Sequence, residues 1–434
     1  MEGGQSVSSF GEALKVRRER VGLTQQGLAD HATLSVRAIR DMETGRVQRP
    51  RQETVRLLAE ALRLEGRTRS AFEAAARQQS VAEEPTAPPT VRNAIVGREA
   101  EIGILSDALV LHGDRLVSVI GLGGVGKTRL ALEVAGRIHA EARWSVQWLD
   151  CGGRGAGGRG PAAGAGADAG FDGLAELIED RPTLLVLDGA DDALDPTALD
   201  ELFRRCPGLR VLITARGPQG LDGEQVIPLA PLATPTPDQD GDPHCLAEVP
   251  AVRLLVSHLR RLRPGFRLGV EEAPEIAALC RYLDGLPRAL EFAAGWALVQ
   301  SPGQLLDRLA GSPFTLAAPP VTSCERGDIR DVLSDALAGL SARQRAVLGR
   351  LASEEGTWSV EQAVVLGHRS AQDWLGVVHE LLSRGLLRTV TGRDGVRFTV
   401  LNLFRVLCRE DRDRWLSVAG RRTAERPVLA ARAG

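Results

Sequence analysis

Apolar positions recur at intervals of three and four through the first eighty residues: Phe10 and Leu14, then Leu28, Leu34 and Ile39, then Val55, Leu58, Ala59 and Leu62. Such spacing predicts short amphipathic helices packed on one core. Thr24 and Ser35 each precede a helical stretch and have side chains that accept from the orphan amides of a helix start, while Gly45 can end the second stretch. Farther on the pattern changes to continuous apolar runs of strand length at residues 116–120, 145–149, 183–187, 211–214 and 226–229, with helical spacing at 130–138. Runs without alternation belong to strands buried on both faces, which predicts a five-stranded parallel sheet inside an α/β sandwich. Helical periodicity returns at 252–262 and 274–283. It resumes from Ile329 through Val332, Leu333, Ala336 and Leu340, after a Ser341 cap at Val347, Leu348 and Leu351, and at 374–382. Residues 386–390 and 396–401 then flank Gly392 to Gly395 as the arms of a hairpin.

Residues 78–90 hold three prolines and, as a large apolar side chain, only Val81, which makes them a semi-extended linker. The expected organisation is multidomain α and α/β: an all-α domain over 1–80, a linker over 81–93, a P-loop α/β sandwich over 94–235, a helical lid over 245–315, a helix-and-hairpin domain over 325–412 and a tail over 413–434. A glycine- and alanine-rich run between Cys151 and Gly170 stands where a helix is due and reads as a loop insertion.

Composition narrows the function classes. With 434 residues, 43% hydrophobic and 25% charged, the chain has material for several globular cores. Its net charge of −2 excludes a general nucleic-acid coat. The first eighty residues, however, carry 14 basic against 10 acidic side chains, a local +4 that leaves −6 for the rest. Any DNA contact is therefore expected at the N-terminus. No apolar run approaches the ~20 residues that cross a bilayer, so no membrane partner is expected. No targeting segment opens the chain, and six dispersed cysteines without a CxxC pair fit a reducing cytoplasm.

Of 54 basic residues only Lys15 and Lys127 are lysines. Lys127 lies in Gly121-Leu-Gly-Gly-Val-Gly126-Lys127-Thr128, which matches GxxxxGK[ST] between an apolar strand and a helix. Glycines at 121, 123, 124 and 126 expose backbone N–H groups that can wrap phosphates at a helix N-terminus, a role extended here to Arg129. Lys127 can neutralise the β/γ oxygens and Thr128 can ligate Mg²⁺. A guanidinium fork does not replace a compact ammonium in that nest, which explains a lysine in an arginine-using chain. The run 183–187 followed by Asp188 is a strand ending in the acid that can hold the metal. Gly189 follows where a second acid would polarise water; Asp191 and Asp192 lie close behind. ATP/ADP with Mg²⁺ are thus the expected cofactors, with at most slow hydrolysis.

The stretch from Gly22 to Gly45 resembles the lambda-repressor/Cro-like (XRE-type) helix-turn-helix, with Gln25, Ala29, Ile39, Glu43 and Gly45 at the family's spacing and Thr33 in place of the usual turn glycine. The resemblance implies a second helix in the major groove, with Arg37 and Arg40 at base edges and Gln25, Arg46, Arg49 and Arg51 near phosphates.

Four further segments resemble the STAND class of P-loop switches and its NB-ARC nucleotide-binding domain. Val96-Gly97-Arg98-Glu99 looks like its opening motif, with Arg98 beside the base. The segment from Val211 to Arg216 looks like the sensor strand, with Arg216 reaching the γ-phosphate. Residues 227–232 look like the next strand and turn, and the segment from Gly285 to Leu290 like the GLPL motif, with Pro287 on adenine. By the same resemblance the C-terminal helices and hairpin form a winged helix that presses on the resting site, without the family's histidine, since residues 398–404 read FTVLNLF. The implied protein is a nucleotide-dependent transcriptional regulator that binds operator duplex DNA and homo-oligomerises with nucleotide state, open to an unknown protein or small-molecule signal. The alternative is a STAND signalling or immune ATPase whose N-terminal helices recruit a protein partner.

Overall fold

The computed structural model describes residues 10–44, 52–64, 66, 68–69, 72, 85–90, 93–152, 173–175, 177–178, 181–191, 194–311, 328–354, 356–362, 371–392 and 395–410. They form two compact units, residues 1–85 and 86–434.

In the first unit, helices α1 (Phe10–Arg20), α2 (Gln25–Ala32), α3 (Val36–Glu43) and α4 (Gln52–Ala61) surround one core. The caps are those the sequence offers: the Thr24 hydroxyl accepts from Gly27 N and the Ser35 hydroxyl from Ala38 N. The α2–α3 turn requires a left-handed residue, and Thr33 supplies it at φ +56 although it carries a branched Cβ. Phe10, Leu14, Leu28, Ile39, Leu58 and Leu62 are buried, as the spacing predicts. Beneath them the Arg18 guanidinium holds both oxygens of Glu43, at 2.6 and 3.2 Å, and donates to Leu23 O at 2.8 Å. These bonds tie α1 to the end of α3, and the hydrogen bond to Glu43 raises the Arg18 pKa against its burial.

The second unit is built on five parallel strands, β1 (Leu116–Ile120), β2 (Ser145–Asp150), β3 (Thr183–Asp188), β4 (Leu209–Ala215) and β5 (Gln225–Pro228), in spatial order β2-β3-β4-β1-β5. Strands β1, β3 and β4 split their side chains between two cores. Val117, Val119, Leu184, Val186 and Leu212 face one core, shared with Leu130, Val134 and Ile138 of α6 (Lys127–Ala142). Leu116, Leu185, Leu187, Val211 and Ile213 face the other, closed by Leu199 and Leu202 of α7 (Pro196–Arg205). Burial on both faces is why these three central strands read as near-continuous apolar runs. Helix α5 (Glu99–Asp107) precedes β1.

After the sheet come α8 (Pro243–Glu248), α9 (Pro250–Leu262), α10 (Ala273–Tyr282), α11 (Pro287–Trp296) and α12 (Pro302–Gly311). Then follow α13 (Ile329–Ala338), α14 (Ala342–Ser353), α15 (Ala371–Ser383), the antiparallel pair β6 (Leu387–Gly392) and β7 (Gly395–Val400), and α16 (Asn402–Glu410). The hairpin occurs where its pattern predicts it; its tip, Arg393 and Asp394, lies outside the described residues, as does most of the expected loop at 151–170. The segments expected as separate domains over 94–235, 245–315 and 325–412 share one continuous apolar core running from Leu105 to Cys408. Within the expected linker, Thr86 O accepts from Val146 N on β2, so the segment is pinned to the sheet edge at Thr86. No described helix is long and apolar enough to cross a membrane.

Candidate functional site

The loop from Gly121 to Gly126 leaves β1 and delivers Lys127 as the first residue of α6. Left-handed glycines make its curve: φ is +72 at Gly124 and +104 at Gly126, conformations that present successive amides to one side. Lys127 Nζ donates to Gly121 O and Leu122 O, both at 2.9 Å, so the ammonium lies across the mouth of its own loop. Burial lowers its pKa to about 8; Asp191 and Asp188 oppose that shift and Arg216 adds to it. A half-buried cation whose partners are two neutral carbonyls is suited to exchange them for phosphate oxygens.

At the tip of β3, Asp188 Oδ1 accepts from Thr128 Oγ1 at 2.9 Å and from Thr214 Oγ1 at 2.5 Å. Thr214 lies in register opposite Asp188 because β4 runs beside β3. Burial raises the Asp188 pKa, and the two hydroxyls work against that rise. One hydroxyl and one carboxylate meeting at a strand tip are hard oxygen donors of the kind Mg²⁺ takes, so the residues fit a magnesium nucleotide. Among the described residues no cluster of three or more His, Cys, Asp or Glu forms another metal site.

Gly189 adopts φ +73 and donates its N–H to Thr214 Oγ1 at 2.9 Å, which helps aim the hydroxyl at Asp188. Asp191 receives the Arg216 backbone N–H and Nε, both at 2.7 Å. It is thereby engaged by a cation rather than free to polarise water, while Asp192 lies outside the described residues. Arg216 also approaches Asp335 on α13, at 3.7 Å.

The remaining expected nucleotide residues frame the loop. Arg98 is buried and donates to Ala230 O at 2.6 Å, Val125 O at 3.4 Å and Glu101 at 2.7 Å; its guanidinium fastens the P-loop to the segment after β5. Arg129 is tied to Glu133 and to Asn93 O. Pro287 is the first residue of α11, and the GLPL-like segment bears on the P-loop through its neighbour: Arg288 N donates to Gly124 O at 3.2 Å. A Cβ on Gly124 would lie 2.8 Å from Cβ of Arg288, and one on Gly123 would lie 2.8 Å from Cγ1 of Val332 on α13. The phosphate loop is thus covered by two later segments of the chain.

Sequence reasoning gave no role to Arg288, Val332, Thr214 or Asp284. Thr214 was findable as a hydroxyl ending an apolar strand; the others act across more than a hundred residues of sequence. Asp284, just before the GLPL-like segment, is fully buried at φ +54. Its Oδ1 accepts from Asn402 N at 2.9 Å and its Oδ2 from Leu403 N at 2.8 Å, capping α16, while its backbone carbonyl accepts from Arg388 on β6 at 2.5 Å.

In the helix-turn-helix, Arg37 and Arg40 are exposed on α3; the Arg37 side chain is 90% accessible with only a 3.7 Å approach to Asp41. The Gln25 amide donates to Glu43 Oε2 at 2.7 Å, which braces α2 against α3 and engages one of its two N–H donors. Arg46, Arg49 and Arg51 lie outside the described residues, as does Gly45.

Residues 9–72 match the helix-turn-helix domain family. "Uncharacterized protein Rv0894" of Mycobacterium tuberculosis is 33% identical over 298 residues, 63% of this chain and 68% of that protein. A second protein of that organism, Rv0890c, named for a proposed role as an HTH-type transcriptional regulator, is 34% identical over 210 residues, 46% of this chain and 22% of the relative. Among solved structures, the STAND protein with a tetratricopeptide repeat sensor from Pyrococcus horikoshii aligns with a TM-score of 0.31 at 16% identity, over 80% of this chain and 48% of that one. The chain belongs to the family of the mycobacterial protein Rv0894, and in it a helix-turn-helix domain is followed by a P-loop α/β domain.

Proposed function

We propose that this protein is a cytoplasmic, nucleotide-switched transcriptional regulator, bound to the nucleoid through its N-terminal domain. The helix-turn-helix binds operator duplex DNA with Arg37 and Arg40 toward base edges, and Arg46, Arg49 and Arg51 toward phosphates. The NB-ARC-like module binds ATP or ADP, with Lys127 and the loop glycines on the phosphates, Thr128 and Asp188 on Mg²⁺, and Arg216 as the sensor of the terminal phosphate. The observation that carries the switch is the covering of Gly123 and Gly124 by Val332 and Arg288. Whatever occupies the phosphate loop bears on both the lid and the winged-helix segment. Diphosphate favours the closed packing. Triphosphate favours an opened form that oligomerises and gathers several DNA readers, raising avidity.

Two variants of the full chain test the reading. Lys127→Ala should abolish nucleotide binding by calorimetry; undiminished affinity would remove the P-loop from the account. Arg37→Ala with Arg40→Ala should lose sequence-specific DNA binding in a shift assay while retaining weak, salt-sensitive binding. If the wild-type chain shows no salt-dependent DNA binding, the N-terminal helices are a protein-recruiting module instead.

A further inference from the structure

A cleft of about 390 Å³ opens beside the P-loop, lined by Gly121 and Leu122 from the loop, Arg216 and Gly217 from the end of β4, and Asp335 and Arg384 from the C-terminal segment. Its floor is the pair of residues whose carbonyls hold Lys127 Nζ, so it opens at the end of the loop where a terminal phosphate belongs. Its two carboxylates, Asp191 and Asp335, are both turned to Arg216.

Arg384 is different. It follows α15 immediately, and its position is fixed by shape. A Cβ on Gly217 would lie 3.3 Å from its guanidinium carbon, one on Gly339 3.5 Å from its Nη1, and one on the adjoining Gly385 3.4 Å from Cγ of Leu122. Glycine on two sides leaves space that the guanidinium occupies close to the backbone of both. Among the described residues no hydrogen bond or ion pair of this guanidinium is formed. Five planar donors held in place at the phosphate end of a nucleotide cleft are arranged for an oxyanion with several oxygens.

We propose that Arg384 binds the terminal phosphate of a nucleoside triphosphate held by the P-loop, so that the C-terminal segment itself supplies a cation that tells triphosphate from diphosphate. The proposal rests on the nucleotide-binding reading above and extends it to a residue that no motif marks. With ADP the Arg384 guanidinium has no phosphate within its cleft. With ATP it has one, and the C-terminal segment passes into the opened form with Arg384 still held by the triphosphate.

The test measures binding of a non-hydrolysable ATP analogue and of ADP, each with Mg²⁺, to full-length wild type, Arg384→Gln, Arg384→Lys and Lys127→Ala by titration calorimetry. Arg384→Gln should weaken the analogue by about 10- to 100-fold, the range of one charge-assisted hydrogen bond, and leave ADP within about threefold of wild type. Arg384→Lys should recover part of the loss. Retained ADP binding shows that the variant folds. Equal affinity of wild type and Arg384→Gln for the analogue, or equal loss for both nucleotides, overturns the assignment. If in that case Lys127→Ala still loses both nucleotides, the P-loop reading stands and only Arg384 falls; if wild type binds neither, both fall together.

Discussion

Asp284→Asn changes one atom at the joint between the helices after the sheet and the C-terminal segment. The carboxylate is fully buried, and burial holds its pKa up at about 6, against the Leu403 and Asn402 amides and the Arg388 and Arg405 guanidiniums that favour the ion. The sign follows from proton counting. Folded protein keeps the proton up to about pH 6, whereas unfolded chain releases it near 3.8, so the folded state binds more protons in between and its stability falls as pH rises through that window. At 1.36 kcal/mol per pH unit, the full effect is about 3 kcal/mol at pH 7. Integrating between pH 5 and pH 7.5 leaves about 1.4 kcal/mol inside a range accessible to denaturant titration. The asparagine variant has nothing to titrate at this position. Its stability relative to wild type should therefore improve by about 1.4 kcal/mol from pH 5 to pH 7.5, whatever constant offset the lost acceptor introduces. Urea unfolding of the full chain at several pH values reads this difference directly. Parallel pH profiles for the two proteins would refute the argument, because they would mean that Asp284 titrates alike folded and unfolded.

Two further outcomes follow from local chemistry. Thr33→Gly should stabilise the N-terminal unit by about 0.5–1 kcal/mol, since relief of left-handed strain of about 1–2 kcal/mol exceeds the added unfolded-state entropy of glycine. Calorimetry should place that unit's transition about 2–8 °C higher; an unchanged or lower transition would show that the turn is not strained. For Lys127, burial lowers the pKa to about 8, so the apo site loses its charge above pH 8 while unfolded chain keeps it to 10.5, and stability from this group rises with pH in that interval. Phosphate binding should recharge it: at pH 8.5, titrations in buffers of different ionisation heat should show uptake of about three quarters of a proton. Binding without proton uptake would place the ammonium away from the phosphates.

The sequence by itself determined whatever depends on neighbours along the chain. The caps at Thr24 and Ser35, the five strands, the hairpin and the glycine loop ending in Lys127 were legible because each is specified within ten or so consecutive residues by periodicity, capping chemistry or glycine's access to positive φ. The family resemblance marked Thr33 as standing in the place of the usual turn glycine, and the structure gave it a left-handed φ of +56. Tertiary structure decided the rest. The order β2-β3-β4-β1-β5 places Thr214 against Asp188, and nothing in either strand alone says that they are neighbours. Gln25 became a brace because α3 brings Glu43 to it. Arg288 and Val332 reach the phosphate loop, Arg384 reaches its cleft and Asp284 reaches α16 only because the sheet, the helices that follow it and the C-terminal segment condense on one apolar core. Local sequence fixes backbone conformation, whereas the partners of a side chain are fixed by which distant surfaces must be buried together, and that is a property of the whole packed chain.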